Sequence, residues 1–412
     1  MEYGCIGEKL THSFSKEIHA LLFDYDYKIK EIPKGELDAF MTQKDFKAIN
    51  VTIPYKQDII PYLDEISDIA KAIGAVNTIV NRDGKLYGYN TDFAGMTALI
   101  KLNNIEISGK VVLVLGSGGT SKTAVAVAKN LGAKRVLRVS RTAKEDCITY
   151  EKAYRDYSDA EIIINTTPCG MYPNIVGEPV DIDCFKNCEA LVDAIYNPLC
   201  SNLVIKAKNK GITAAGGLYM LVAQAAVAAE LFIDTSISEE KIYDVYKKII
   251  SSKRNIVLTG MPSSGKSTIG KRLAKELGMQ FIDTDTEIEK AAGKPISQIF
   301  KESGEAVFRD VESSVIAEVS AKQNCVIATG GGAILREQNV TLLKGNGTVY
   351  FIDRSLEKLI TTDDRPLSSN REDLIKRYNE RYDIYCNSAD KRIINDSEIK
   401  TVIDSIKEDF LE

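Results

Sequence analysis

The sequence predicts an α/β fold with parallel sheets, distributed over more than one domain. Short apolar runs alternate with longer segments of helical periodicity along the whole chain, a rhythm typical of βα units with helices on both faces of a sheet. The length of 412 residues exceeds the ~100 to 200 residues of an average domain, so two or three domains are expected. Glycine-rich turns at 116–121 and 260–265 each join an apolar run to a helical segment, as in nucleotide-binding α/β folds.

Predicted strands and helices locate the domain boundaries. The clearest strands are short apolar runs at 111–115, 135–139, 161–164, 190–194, 256–259, 326–328 and 348–352. A Ser-capped amphipathic helix is predicted at 238–252, and it ends in a basic stretch that reads as a short linker. We therefore place one boundary near residue 253 and another just before the strand at 111–115. The helix-rich segment 217–250 is expected to fold back onto the first domain.

Charge and hydropathy restrict the partners. The chain has 53 Lys and Arg against 58 Asp and Glu, a net charge of -5, which argues against nucleic acid or anionic membrane binding through a basic field. No run is apolar enough for a membrane span, and the N-terminus lacks the features of a targeting signal. We expect a cytoplasmic protein with small-molecule partners, and a homo-oligomer is left open.

Cysteine and histidine usage restricts the chemistry. Eight cysteines without a C-x-x-C pair indicate neither a zinc ribbon nor a dithiol redox centre. The chain has only two histidines, His12 and His19, which excludes most zinc-hydrolase and Ser-His-Asp schemes. Catalysis is therefore expected to rest on Lys, Asp and Arg.

The segment 260–268, GMPSSGKST, matches the phosphate-loop pattern G-x-x-x-x-G-K-[ST] between an apolar run and a helix. Backbone N–H groups of such a loop face the phosphates, Lys266 would contact the β- and γ-phosphate oxygens, and Ser267 would ligate Mg²⁺. The alternative is a glycine-rich turn with an exposed lysine. We predict that a nucleoside triphosphate is bound by Gly260, Ser263, Ser264, Gly265, Lys266, Ser267 and Thr268.

The turn at 116–121, GSGGTS, is a partial dinucleotide fingerprint. Ser121 stands where the third glycine of G-x-G-x-x-G would fall, so an ordinary tight turn remains the alternative. The next strand ends in Ser140, Arg141 and Thr142, where an NAD enzyme would offer an acidic residue to the ribose. A guanidinium suits a 2'-phosphate, which favours NADP, although Arg141 as a solvated surface charge is the other interpretation.

Polar clusters recur on turns in the first hundred residues. They are HSFS at 12–15, NVTIPYK at 50–56, AVNT at 75–78 and GYNTD at 88–92. Hydroxyls, amides, one lysine and one carboxylate suit a polyhydroxylated small molecule that bears a carboxylate. Taken singly, Lys56 is as readily a solvated lysine, and Asp92 as readily the N-cap of a helix at 93–102.

These clusters together resemble shikimate dehydrogenase. With GSGGTS at 116–121, SRT at 140–142 and GLYMLVAQA at 217–225, the resemblance spans about residues 1–250 in order and spacing. It implies a substrate domain at 1–102, with 217–250 added, and a Rossmann NADP domain at 103–216. It also implies NADPH-dependent reduction of 3-dehydroshikimate to shikimate.

The same resemblance implies roles for individual residues. Lys56 and Asp92 would form the catalytic pair, and Ser13 and Ser15 would hold the substrate carboxylate. The family pattern has a proline where Lys16 stands, and an asparagine where Ser140 stands. Further substrate contacts would come from Thr52, Asn77, Tyr196 and Gln224, and cofactor contacts from Gly116, Ser117, Gly118, Gly119, Thr120, Ser140, Arg141, Thr142, Thr166, Gly217 and Met220, with Asn165 and Thr167 beside the nicotinamide.

Beyond a linker at 251–254, residues 255–412 resemble shikimate kinase. The motifs are FIDTD at 281–285, FRDVE at 308–312, GGG at 330–332, RPL at 365–367 and RYDIY at 381–385, with Asp383 in place of a usual proline. The resemblance implies ATP, Mg²⁺ and a P-loop α/β domain of the nucleoside-monophosphate-kinase type; gluconate-type kinases are the nearest rivals.

By the same resemblance, Asp283 would act on Mg²⁺ through water, and Asp285 would bond the acceptor hydroxyl. Arg309 and Arg381 would clamp the substrate carboxylate, since each guanidinium presents a planar fork. Gly331 would donate a backbone N–H, and Arg365 would arrive on a lid that excludes water.

The sequence thus predicts two consecutive reactions, because shikimate is the product of the first and the acceptor of the second. Two alternatives stay open. In one, one half, such as the kinase-like half, has lost turnover and is a binding or regulatory module. In the other, the first half oxidises quinate with NAD in a catabolic route, with the kinase merely attached.

Overall fold

The computed structural model describes residues 1–10, 13–143, 146–360 and 371–411. The described residues group into two compact units. The first comprises Met1–Met171, Gly177–Asn197 and Leu203–Ile250. The second comprises Tyr172–Val176, Pro198–Asn202 and the chain from Ser251 onward. Short segments from within the first 250 residues therefore belong to the second unit.

The N-terminal part of the first unit is a mixed sheet with helices against it. Its strand order is β2-β1-β3-β5-β6-β4, and β1 pairs in parallel with both β2 and β3. The strands are β1 (Tyr3–Gly7), β2 (Tyr27–Glu31), β3 (Ala48–Val51), β4 (Glu65–Ile66), β5 (Thr78–Arg82) and β6 (Lys85–Tyr89), and the helices are α1 (Ser15–Leu22), α2 (Leu37–Gln43), α3 (Asp68–Ile73) and α4 (Thr91–Leu102).

This first sheet departs from the all-parallel arrangement that the βα rhythm predicts. β5 runs antiparallel to β3 and forms a hairpin with β6. The hairpin turn is Asp83-Gly84, and both residues have positive φ, at 53° and 85°. An Asp-Gly pair between apolar runs favours this two-residue turn, because its backbone twist matches that of the flanking strands. The signal for the hairpin was therefore present in the sequence.

The second part of the first unit is a parallel sheet with the order β12-β11-β10-β7-β8-β9. Its core joins Val112 and Val114 of β7 to Val127 of α5 and Met96 of α4. Four strands lie within one residue of their predicted positions: β7 (Val111–Leu115), β8 (Arg135–Ser140), β10 (Ile162–Asn165) and β11 (Ala190–Asp193). The sequence analysis did not predict β9 (Ile148–Thr149) and β12 (Thr213–Ala215), and the helices are α5 (Gly119–Asn130), α6 (Tyr150–Asp156) and α7 (Asn202–Asn209).

The segment after β12 is helical, as predicted. Helix α8 (Leu218–Ile233) packs along α4 and against α1, so it contacts the N-terminal part of the unit. Helix α9 (Glu239–Lys253) begins at the predicted serine cap, where the Lys241 amide donates to Ser238 Oγ over 3.2 Å. Residues 251–253 are the last turn of α9.

The second unit holds a parallel sheet with the order β14-β15-β13-β16-β17. Its inner strands are apolar on both faces, as expected when helices cover a sheet on both sides. The strands are β13 (Asn255–Thr259), β14 (Gln280–Asp283), β15 (Cys325–Ala328), β16 (Gly347–Asp353) and β17 (Lys391–Ile394), and the helices are α10 (Lys266–Leu277), α11 (Thr284–Ala292), α12 (Ile296–Ser320), α13 (Glu337–Asn346), α14 (Arg371–Ser388) and α15 (Ile399–Leu411). In the described ranges no helix has both the length and the apolar character needed to cross a membrane.

Helix α12 is kinked within its first half. Gly304 has φ 79° and ψ 174°, which lie outside the helical region. A residue with a Cβ would be strained there, whereas glycine is not. The kink starts a new helical segment at Glu305, and residues at 305, 309 and 312 then share one face of it.

The N-terminus of α4 positions a predicted catalytic residue. Asn90 is its N-cap: Asn90 Oδ1 accepts from the Phe93 amide over 3.2 Å, and Asn90 Nδ2 donates to the Ala75 carbonyl over 2.9 Å. The alternative that Asp92 caps a helix at 93–102 is therefore wrong. Asp92 lies in the first turn, and its carboxylate is available for other partners.

We predict that Asn90→Ala lowers the free energy of unfolding by about 1–2 kcal/mol, since it removes the cap and leaves the buried Ala75 carbonyl without its donor. Urea unfolding followed by circular dichroism measures the change. Asn90→Ser, which also lacks the donor to Ala75 but keeps a capping oxygen, should lose less. Equal losses for the two variants would contradict the assigned cap.

Candidate active sites

Lys56 and Asp92 form an ion pair in the first unit. Lys56 lies on the turn after β3, and its Nζ contacts Asp92 Oδ2. The two side chains are 14% and 10% exposed, so the pair is largely shielded from water. Charges attract more strongly in such surroundings than at an open surface. Lys56 is therefore not the solvated lysine that the sequence left open.

An amide and hydroxyl network holds the carboxylate of this pair. Asn77 Nδ2 donates to Asp92 Oδ1 over 2.9 Å and to Thr91 Oγ1 over 3.0 Å. Thr91 Oγ1 in turn donates to Gln224 Oε1 on α8 over 3.2 Å. The structure thus brings together Lys56, Asn77, Asp92 and Gln224, which are far apart in sequence.

Other predicted substrate residues lie at the start of α1 and on turns. Ser13 Oγ donates to Ser15 Oγ over 3.0 Å, and both side chains are partly buried. Between them, Phe14 makes an edge contact with the ring of Tyr196, with 5.3 Å between centroids. Burial raises the pKa of Tyr196 to about 12, so its hydroxyl stays protonated. Thr52 lies partly buried on the turn that carries Lys56.

The glycine turn between β7 and α5 comes close to the ion pair. A Cβ built on Gly119 would lie 3.6 Å from Lys56 Cδ, so the turn and the lysine side chain face each other. The hydroxyl of Thr166 donates to the Leu115 carbonyl over 2.6 Å beneath Gly116. The Thr167 hydroxyl donates to Asn165 Oδ1, and Asn165 Nδ2 donates to Asp193 Oδ1 over 3.0 Å. Gly217 and Met220 stand at the start of α8.

The residues after β8 are divided between surface and interior. Arg141 and Thr142 are exposed, whereas Ser140 is buried and its hydroxyl donates to the Thr142 carbonyl. A residue that the sequence did not single out, Arg138, donates to the Ser117 carbonyl over 3.1 Å and pairs with Asp146. The sequence offered no sign of this contact, because Arg138 lies inside a strand.

This surface fits a dinucleotide with a phosphate on its ribose. Helix α5 begins at the turn and directs backbone N–H groups outward. No atom lies within 4 Å of a Cβ built on Gly118, so the space above the turn is open. The exposed guanidinium of Arg141 beyond β8 is the donor that a 2'-phosphate requires.

The phosphate loop of the second unit joins β13 to α10. Lys266 is only 8% exposed, and its Nζ donates to the carbonyls of Gly260 and Met261 over 2.9 and 2.8 Å. The alternative of an exposed lysine is therefore wrong. A shielded ammonium beside the N-terminus of a helix fits the phosphates of a nucleotide.

A hydroxyl and two carboxylates stand beside the loop. Ser267 Oγ donates to Asp283 Oδ2 over 2.7 Å, and Asp283 Oδ1 caps α11 by accepting from the Asp285 amide over 3.1 Å. Oxygen donors of this kind suit Mg²⁺, which takes its remaining ligands from water and phosphates. A Cβ built on Gly330 would lie only 2.7 Å from Asp285 Oδ1, so glycine at 330 leaves room for that carboxylate.

Arg309 is packed between two carboxylates and a glycine. Its Nη1 donates to Glu312 Oε2 over 2.7 Å and its Nη2 to Glu305 Oε1 over 2.9 Å. A Cβ on Gly332 would collide with Nη1, so the guanidinium needs glycine at that position. Burial alone would lower the pKa of Arg309, but the adjacent Glu312 and Glu305 outweigh it and raise that pKa.

Arg381 is anchored on the same side of the site. Its Nη1 donates to the Gly331 carbonyl over 3.1 Å, and the Tyr385 hydroxyl donates to that carbonyl as well. Gly331 therefore contributes its carbonyl to the packing of Arg381, in addition to the N–H predicted to face the substrate. Arg365 lies outside the described residues.

One cavity of about 750 Å³ is lined by the phosphate loop, the two carboxylates beside it and both arginines. Its volume lies within the range of roughly 300–1,000 Å³ usual for ligand sites. Sequence reasoning missed part of its wall. The missed residues are Glu305, which pairs with Arg309, and Glu312, Arg354 and Arg377, which line the cavity itself. The sequence did contain a signal for Glu305 and Glu312, because they lie four residues before and three residues after Arg309. Residues at these spacings share one face of a helix. Gly265 and Thr268 also line a second cavity of about 160 Å³ with Lys358, Asn395 and Asp396.

Comparison with known proteins agrees with these sites. Residues 5–79 match the family model "Shikimate dehydrogenase substrate binding domain", and residues 262–410 match the model "Shikimate kinase". "Shikimate dehydrogenase (NADP(+))" of Clostridium beijerinckii is 41% identical over 259 residues, which cover 59% of this chain and 96% of that protein. The chain belongs to the shikimate dehydrogenase family. Its C-terminal part is a shikimate kinase domain.

Solved structures agree with the assignment of the dehydrogenase. A chorismate mutase/shikimate 5-dehydrogenase fusion protein from Clostridium acetobutylicum is 36% identical with a TM-score of 0.57, covering 60% of this chain and 96% of that one. Shikimate 5-dehydrogenase from Thermus thermophilus, solved with NADP(H) and shikimate, is 27% identical with a TM-score of 0.54, covering 60% and 99%. The α/β fold class and both family resemblances predicted from the sequence are confirmed.

The buried Glu312 predicts a pH effect on the stability of the kinase unit. Burial raises the pKa of Glu312, and Arg309 opposes that rise. Folded Glu312 therefore loses its proton at a higher pH than unfolded Glu312 does, and stability falls as the pH rises from the ordinary Glu value of 4.5 towards the higher folded value. As the pH rises through this window, the wild type should lose stability relative to Glu312→Gln, measured by urea unfolding.

Glu302→Gln is the control with the opposite sign. Hydrogen bonds from Lys294 and Gln298 lower the pKa of Glu302, so its stabilising contribution is lost as the pH falls. Parallel pH profiles for the wild type and Glu312→Gln would show that burial of Glu312 has no such effect.

Proposed function

We propose that the chain catalyses two consecutive steps: NADPH-dependent reduction of 3-dehydroshikimate to shikimate, and ATP-dependent phosphorylation of shikimate to shikimate 3-phosphate. The observation that carries the first step is the shielded Lys56–Asp92 pair facing the glycine turn. The second step is supported by a phosphate loop and two guanidiniums around one cavity. We place these reactions in the cytoplasm, where both nucleotides are available.

In the first step Lys56 acts as general acid. When bound, NADPH supplies a hydride to the carbonyl carbon of the substrate. The carbonyl oxygen then gains negative charge, which the Lys56 ammonium stabilises before donating the proton that completes the alcohol. Asp92 holds the ammonium in place, and Asn77 fixes the second oxygen of that carboxylate.

The remaining polar residues of this site would bind and orient the substrate. Ser13 and Ser15 would donate to its carboxylate, while ring oxygens would contact the amides of Asn77 and Gln224. Thr52 and Tyr196 would border the ring, and the raised pKa of Tyr196 keeps its hydroxyl a donor. The turn 116–120, with Ser140, Arg141, Thr142, Thr166, Gly217 and Met220, would hold NADPH.

In the second step the kinase residues neutralise charge and position the acceptor. ATP supplies the γ-phosphoryl group with Mg²⁺ bound. Lys266 and the backbone of the loop 260–268 would hold the phosphates, with Ser267 and the water-linked Asp283 at the metal. Asp285 would accept the proton of the acceptor hydroxyl, while the oxygen of that hydroxyl bonds the γ-phosphorus and ADP leaves. Arg309 and Arg381 would hold the substrate carboxylate with the Gly331 N–H, and a role for Arg365 rests on the resemblance alone.

The proposed domains follow from this division of labour. Residues 1–102 with 217–250 would bind the shikimate skeleton, and 103–216 would bind NADPH, although 172–176 and 198–202 group with the second unit. Residues 255–412 would carry the kinase site after the proposed linker at 251–254, of which 251–253 continue helix α9.

We predict that the full chain consumes NADPH with 3-dehydroshikimate and, when Mg²⁺ and ATP are added, forms shikimate 3-phosphate. Lys56→Ala should slow NADPH consumption by about 100- to 10,000-fold, because the general acid is lost, and leave phosphorylation of added shikimate intact. Lys266→Ala should slow only phosphorylation, by at least ~100-fold. NADPH absorbance and mass spectrometry of the product follow the two reactions.

The surface variants Lys71→Ala and Lys271→Ala are matched controls for these lysines. NADPH consumption without any phosphorylated product would reduce the kinase half to a binding module. Faster turnover of quinate with NAD than of shikimate with NADP would support the catabolic alternative.

We predict that Arg141→Ala raises the KM for NADPH by about 10- to 100-fold while the KM for NADH is unchanged, since a charge-assisted contact to the 2'-phosphate is removed. Initial rates with each nucleotide test this. Arg135→Ala removes an exposed arginine from the other end of β8, where it stacks on Tyr157, and should change neither value. An equal rise for both nucleotides would refute a phosphate contact by Arg141.

A further inference from the structure

Arg309, one of the two arginines proposed to hold the substrate carboxylate, already contacts two carboxylates of the chain. Both terminal nitrogens of Arg309 are engaged, Nη1 by Glu312 and Nη2 by Glu305, at 2.7 and 2.9 Å. The Arg309 side chain is 10% exposed and is pressed against the backbone of Gly332. Because a bidentate contact needs two parallel N–H groups, a substrate carboxylate competes with Glu305 for the Nη2 of this guanidinium.

The two partners differ in how readily they could leave. Glu312 is 1% exposed and lies among buried groups, so moving its charge away from Arg309 would be costly. Glu305 is 52% exposed, and water can solvate its carboxylate once the contact opens. Glu312 is thus a permanent partner of Arg309, and Glu305 is an exchangeable one.

The kink at Gly304 places Glu305 at this point. Glu305 begins the second segment of α12, and Arg309 follows one turn later on the same face. Glu305 also acts on a second arginine of the cavity wall: burial and Arg381 lower the pKa of Arg377, while Asp373 and Glu305 oppose that lowering. The carboxylate of Glu305 thus lies in the field of more than one guanidinium.

We propose that Glu305 is an intramolecular competitor that occupies the Arg309 site until the carboxylate of the substrate displaces it. This inference rests on the proposed kinase function. Because the exchange replaces one carboxylate by another, Arg309 keeps its charge balance before and after binding. A ligand without a carboxylate gains nothing from displacing Glu305, so the exchange favours carboxylate-bearing acceptors.

The expected magnitude follows from a two-state equilibrium. A ligand that binds only the open state has its apparent affinity reduced by the fraction of open state. An ion pair with a half-exposed partner shifts such an equilibrium by about two- to fivefold. Removing the Glu305 charge should therefore lower the KM for shikimate by about two- to fivefold, with kcat unchanged.

The test measures ADP formation by the full chain at saturating ATP, without NADP, as shikimate is varied. Glu305→Gln and Glu305→Asp should both lower the KM for shikimate, since the first lacks the charge and the second is too short to keep the contact. Shikimate methyl ester, which is neutral, should show no such gain. Unchanged kcat for ADP formation, with urea unfolding followed by circular dichroism, checks that the kinase unit of each variant is folded.

Glu302→Gln is the matched control, because Glu302 is 47% exposed on the same helix and pairs with Lys294. An equal fall in KM for Glu302→Gln, or an equal gain for the methyl ester, would reduce the effect to bulk charge and overturn the proposal. A rise in KM for Glu305→Gln would instead make Glu305 a positioning residue for Arg309. Absence of ADP formation by the wild type would refute the kinase function itself.

Discussion

The carboxyl edges of the parallel strands determine where chemistry is placed in this chain. Parallel strands end at one edge, and the helices that follow them begin there, so backbone donors and charged side chains converge. In the first unit this edge carries the turn after β7 and Arg141 after β8; in the second it carries the phosphate loop after β13 and Asp283 at the end of β14. The residues proposed to bind substrate lie on other elements, and tertiary packing brings them to these edges.

Within that arrangement, shielded ion pairs are used in contrasting ways. The Lys56–Asp92 pair is braced by Asn77, which fixes the ammonium in the position from which the proposed reduction would draw its proton. The Arg309–Glu312 pair holds a guanidinium in a defined orientation against Gly332. Such pairs contribute little net stability, because desolvation offsets their attraction. Their value here is geometric.

Much of the fold and of the sites could be predicted, where local sequence determines structure. The phosphate loop is set by its own glycines and by the strand before it. Seven strands of the parallel sheets were located within one residue, whereas β9, β12, β14 and β17 were not predicted. The mixed first sheet was missed, because β5 pairs with β3 across an intervening stretch of chain and only the Asp-Gly turn is local.

Side-chain partners were harder to predict. Lys56 and Asp92 were identified by family resemblance, since nothing local shows that residues 36 positions apart will meet. The interpretation of Asp92 as a helix N-cap was wrong, because Asn90 caps that helix. The contacts of Arg138 with Ser117 and of Tyr385 with Gly331 depend on how neighbouring elements pack, which the sequence does not encode locally.

The second unit includes Tyr172–Val176 and Pro198–Asn202, which precede its main segment in the chain. Ile175 is 2% exposed in a core cluster with Val257 and Leu343. No single cut in the sequence therefore separates the residues of the two compact units. Recombination near codon 251 would deliver the second unit without Ile175, which its core includes, so a single crossover there would not transfer the whole unit.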